Sequence, residues 1–63
     1  MKKLFIVYTI SVFFKDDYSY EVLKEDSIFE TEIEALRYID QCLHSSNVGI
    51  RNRDYTILTV YRN

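Results

Sequence analysis

Cys42 is the only thiol and His44 the only imidazole in this 63-residue chain. A nucleophilic cysteine needs a neighbouring base and an electropositive setting. Two positions apart on a helix lie about 200° round the axis, so Cys42 and His44 do not meet within one chain. Cys42 falls among apolar residues and is expected to be a small core side chain. One cysteine excludes an intrachain disulfide, and one cysteine with one histidine is too few for a zinc site. Two acid pairs stand out, Asp16–Asp17 and Glu25–Asp26. Glycosidase-type work needs two carboxyls facing each other across a cleft, and a chain this short offers little cleft. The spacing matches no calcium loop, and there is no phosphate-loop or nucleophile-elbow motif. These residues argue for a non-enzymatic protein with no catalytic residue, no metal and no cofactor.

Binding is the chemistry that remains. Arg51 and Arg53 flank Asn52, and Tyr55 follows closely. In an extended segment all three share one side, where guanidinium forks suit phosphate and an aromatic ring suits a base. A small anionic ligand, phosphorylated or a nucleotide, is one expected partner. Charge is unevenly spread: residues 16–34 hold eight acids against Lys24 alone, while net charge over the chain is −2. That balance argues against direct nucleic-acid binding. An acidic segment carrying Asp16, Asp17, Glu21, Glu25 and Asp26 suits a basic protein partner instead.

The elements that must position these groups follow from periodicity. Residues 3–14 alternate at period two, with Leu4, Ile6, Tyr8, Ile10, Val12 and Phe14 on one face, which marks a strand. Lys15-Asp16-Asp17 is the expected hairpin turn. Residues 18–24 resume as a strand. Lys24-Glu25-Asp26 then breaks the pattern, as a turn before a short third strand near 27–30 or as a bulge; the turn is favoured. Thr31-Glu32-Ile33-Glu34 has capping-box spacing and opens an amphipathic helix. Its expected buried stripe is Ile33, Ala35, Leu36, Ile39, Cys42 and Leu43, with Ile39 fully buried. Ser45-Ser46-Asn47 ends the helix, 48–53 is expected as a loop, and Asp54–Arg62 is a last strand, apolar on both faces.

The predicted fold is α+β in one domain, 1–63: a small antiparallel sheet in the order β-β-(β)-α-β with one helix on one face. The helix is expected on the even face of the first strand, with the last strand beside the first. Lys2-Lys3 before an apolar run resembles a secretory leader, but polar interruptions and the absence of a small-residue cleavage site favour a mature strand. No stretch reaches the ~20 apolar residues of a membrane span. The expected location is cytoplasmic. Phe5, Val7 and Phe13, with Leu23, are left on the uncovered odd face. They form the expected interface of a homodimer, since contiguous apolar area of that size is seldom left in water.

Residues 1–43 resemble the HicB-type antitoxin pattern of strands, a turn, then Glu30-Thr31-Glu32-Ile33-Glu34-Ala35-Leu36 opening a helix. The chain departs from that pattern in having no glycine before the helix. The resemblance implies a partial RNase-H-like sheet that covers a small toxin, and it carries no functional residue over. The reading favoured here is a small phage or mobile-element accessory protein that inhibits or sequesters a partner. The alternatives are the antitoxin-like module and a dimeric sponge for a phosphorylated ligand.

Overall fold

A computed structural model describes all residues, 1–63. The elements run β1 (Lys2–Lys15), β2 (Tyr18–Phe29), α1 (Glu32–Leu43), α2 (Val48–Arg51) and β3 (Asp54–Arg62). The strands form one antiparallel sheet in the order β2-β1-β3, as the α+β reading expects. β1 is central, and its Phe5, Ile6 and Val7, which alternate between the two faces, are three of the five buried residues. β3 pairs with β1 from Lys2↔Arg62 to Ile10↔Asp54. Beyond Ile10, β1 pairs with β2 alone, so Ser11 to Val22 form a two-stranded arm. Asp16 at its turn has φ 54°, a left-handed conformation that aspartate tolerates better than most residues.

β2 is one strand rather than two. Val7 pairs with Ser27 and Tyr8 with Glu25, so Asp26 is an extra residue, a β-bulge. The turn expected at 24–26 is therefore replaced by the bulge, which restores the register that brings Ile28 and Phe29 opposite Ile6 and Phe5.

The helix lies on the odd face of β1, not the even one. Phe5, Val7 and Ala35 form the core, with Phe29, Tyr38, Ile39, Tyr55 and Ile57 packed round it. The reason is a better fit. Ala35 has no exposure and lets the helix axis approach closely, while Tyr38 packs its ring on Phe29 at 5.4 Å. Ala35, Tyr38, Ile39 and Cys42 are spaced i, i+3, i+4, i+7, a single helical stripe. This rotation leaves Ile39 only half-buried and turns Ile33, Leu36 and Leu43 out to solvent, against expectation. Phe5 and Val7 are buried beneath α1 and present no surface to a second copy. Phe13 lies on the same side but out on the arm, half-exposed, and Leu23 is on the opposite face beside Ile10.

Thr31 caps α1 through its hydroxyl, which accepts from the Glu34 N–H at 3.3 Å. The hydroxyl proton is given to the Glu34 carboxylate at 2.7 Å. Asn47 caps α2 in the same way, accepting from the Ile50 N–H, so the expected loop contains one helical turn.

The even face of the sheet carries no helix. Register places Leu4, Ile6, Tyr8, Ile10 and Val12 along its centre, Ile28 and Leu23 on one side, Leu58 and Val60 on the other. Ile6 is fully buried there by its strand neighbours, but Leu58, Ile28, Leu23 and Val12 are close to half-exposed. Only five residues in the whole chain are buried.

Candidate ligand cleft beside the bulge

The bulge and the α1–α2 corner together make a cleft on the helix side of the sheet. It encloses about 340 Å³ between Asp26, Tyr38, Gln41, Cys42, Arg53 and Tyr55. Ser45 and Ile50 close it from the α1–α2 connection. A second hollow of about 270 Å³ adjoins it toward the arm, lined by Thr9, Ser11, Lys24 and Glu25. Asp26 and Arg53 line both.

Each wall has a local cause. As the bulged residue, Asp26 is released from strand alternation, and its Oδ2 accepts from the Tyr38 hydroxyl and, at 3.2 Å, from the Ser27 hydroxyl. A phenol held on a carboxylate resists ionisation, and the Tyr38 pKa is pushed up to about 12, chiefly by that hydrogen bond. The Asp26 Oδ1 takes part in no hydrogen bond within the chain. Tyr55 donates its hydroxyl to the Ile50 carbonyl at 2.8 Å and thereby ties α2 to β3. Its pKa is also raised, first by burial and then by the neighbouring Cys42. Cys42 lies on the cleft floor between the two phenols, nearly buried as expected. His44 points elsewhere, with Nδ1 2.9 Å from the Asp40 carbonyl. The guanidinium of Arg53 makes no ion pair; the two that exist join Lys2 to Glu30 and His44 to Asp40.

Four of the expected contact residues are brought together: Glu25, Asp26, Arg53 and Tyr55. Arg51 is separated from Arg53 because α2 turns its side chain onto the Ser45 carbonyl at 3.2 Å. Asp16 and Asp17 form the arm's turn, and Glu21 sits on the helix-free face opposite Val12. Glu30 is held by Lys2 at 2.6 Å, which lowers its pKa through that hydrogen bond. The acids of residues 16–34 are thus strung along β2 and the start of α1 on both sides of the sheet, not gathered into one acidic lobe. Tyr38, Gln41, Lys24 and Ser11 enter the cleft without having been singled out from the sequence. The broken alternation at Lys24-Glu25-Asp26 was the available signal, since bulges re-aim side chains.

No three His, Cys, Asp or Glu side chains converge as metal ligands. No helix is long and apolar enough to cross a membrane. Comparison with protein-family models, curated proteins and solved structures finds no match to this chain.

Proposed function

We propose that this protein acts by binding rather than by catalysis, and that its working form is a homodimer closed through the helix-free face of the sheet. The observation that carries this reading is the helix-free sheet face, where Leu58, Ile28, Leu23 and Val12 stay close to half-exposed, in a chain whose total surface is large for its mass. A monomer of 7.6 kDa is expected to expose about 4,300 Å², whereas this chain exposes 4926 Å², about 600 Å² more. The excess approaches the ~800 Å² that each partner brings to a standard interface. The Cα radius of gyration, 13.6 Å, likewise exceeds the roughly 10.6 Å of a compact chain this long.

A second copy fits the face better than an unrelated partner for two reasons. Five buried residues are a thin core for a free monomer, and a chain that needs its partner to stay folded is best served by one made with it. The face is also self-complementary. Arg62 stands at one end of it, beside a Lys2 that is paired with Glu30, and Glu21 and Asp54 toward the other. Two sheets related by a two-fold axis with strands antiparallel set the basic end of each over the acidic part of the other. Leu58 and Ile28 then lie near the centre, and the clefts remain open on the outer, helix-covered surfaces. The dimer puts two arms and two clefts on one particle, which suits a protein that captures rather than converts its target. Leu58→Glu tests the reading: it should abolish the dimer in light scattering, whereas an unchanged mass would refute it.

A further inference from the structure

We propose that the cleft beside the bulge binds a mononucleotide, or a phosphorylated heteroaromatic molecule of the same build, with its ring in the larger hollow and its phosphate in the smaller one. The two hollows differ in chemistry. The larger one has two tyrosine side chains and Ile50 in its walls, surfaces on which a flat ring packs. The smaller is bordered by one apolar residue, Ile10, and by Glu25, both of which the register assigns to the helix-free face, and it offers the Lys24 ammonium and the Ser11 and Thr9 hydroxyls. Those are phosphate ligands. Arg53 borders both hollows with its guanidinium unpaired, so it is placed to hold the phosphate where ring and phosphate join.

Asp26 faces Arg53 across the same boundary, and its free Oδ1 is an acceptor for a ring amino group or a ribose hydroxyl. A carboxylate here weakens the site for a bare anion and favours a ligand that brings donors as well as charge. The volumes agree: about 340 Å³ suits a base with part of its sugar, and lies at the lower end for small-molecule sites. Tyr38 and Tyr55 are held in place by their bonds to Asp26 and to the Ile50 carbonyl, so the ring subsite is formed before the ligand arrives.

The cleft is built from one chain and lies on the helix side, so this inference does not depend on dimerisation through the other face. Amide chemical shifts of the wild-type protein should be followed during titration with the common ribonucleoside monophosphates, the matching nucleosides and inorganic phosphate. At least one nucleotide should saturate shifts at Ser11, Lys24, Gln41 and Arg53, and its nucleoside and phosphate alone should bind at least about tenfold more weakly. Arg53→Ala should weaken the nucleotide about tenfold or more, and Arg51→Ala, on the neighbouring but diverted arginine, should not. Both variants are checked for native shift dispersion and for the wild-type mass, which separates failure of the cleft from failure of the dimer. No saturable shift with any nucleotide at millimolar concentration overturns the proposal. So does phosphate binding as tightly as the nucleotide, or Arg51→Ala weakening binding as much as Arg53→Ala.

Discussion

The even face of β1 is the more apolar of its two, yet it is the odd face that the helix covers. Phe5 and Val7 on the odd face lie under Ala35 and Tyr38, while Leu4, Ile6 and Ile10 on the even face have no layer above them. Composition favours the even face; the shape and chemistry of the helix decide for the odd one. Ala35 permits close approach over Val7, and Tyr38 finds both a ring, Phe29, and a carboxylate, Asp26, on the odd side. Hydrophobic alternation therefore ranks the two faces of a strand, but the face a helix covers is set by the fit of the helix.

Substitutions on either side of that boundary should separate folding from association. The largest effect belongs under the helix. Phe5→Ala removes a ring from the core and should cost about 3–5 kcal/mol in denaturant unfolding, enough to leave much of the chain unfolded. Next comes the open face. Leu58→Glu and Leu36→Glu place the same charge at residues of similar exposure, 43% and 48%. Leu58→Glu should raise the dimer dissociation constant at least about a hundredfold, by desolvating a charge at the interface, and Leu36→Glu should leave the mass unchanged. Equal behaviour of the two would erase the distinction between faces.

The helix stripe offers a sharper contrast at smaller magnitude. Ala35→Leu should destabilise by about 1–3 kcal/mol through overpacking, whereas Leu36→Ala should stay within about 0.5 kcal/mol. The stripe expected from the sequence, which holds Leu36 in the core, instead predicts about 2–5 kcal/mol for Leu36→Ala. The smallest effect is one of pH. Because Tyr38 ionises near 12 in the folded state against 10.0 ordinarily, its contribution is complete below pH 10 and is lost as pH rises toward 12. In a tyrosinate absorbance titration, the wild-type protein should show one phenol titrating last, Tyr38→Phe should remove that step, and Asp26→Asn should bring it back toward its usual range.

Much of the fold was legible. The period-two runs, the Asp16-Asp17 turn and the capping-box threonine place β1, the hairpin and the start of α1 correctly, because each rests on local chemistry. The bulge at Asp26 was visible only as a break, since a turn and an extra residue interrupt alternation alike. The rotation of the helix by about 80° that swaps Leu36 for Tyr38 at the core was not legible, because it depends on Phe29 and Asp26 arriving from another strand. For the same reason Arg53 and Tyr55 could be paired with each other, but not with Asp26 and Lys24. Asn47 marks the end of α1 in the sequence, but it also caps α2, the turn that sets Arg51 on the Ser45 carbonyl and apart from Arg53.

The central claim is that the uncovered sheet face is an interface between two copies. Sedimentation equilibrium over a wide concentration range tests it most directly. The account predicts a mass twice the 7.6 kDa of the chain at micromolar concentration, with a melting temperature that rises as concentration rises. A 7.6 kDa species throughout, melting at one temperature whatever the concentration, would contradict it.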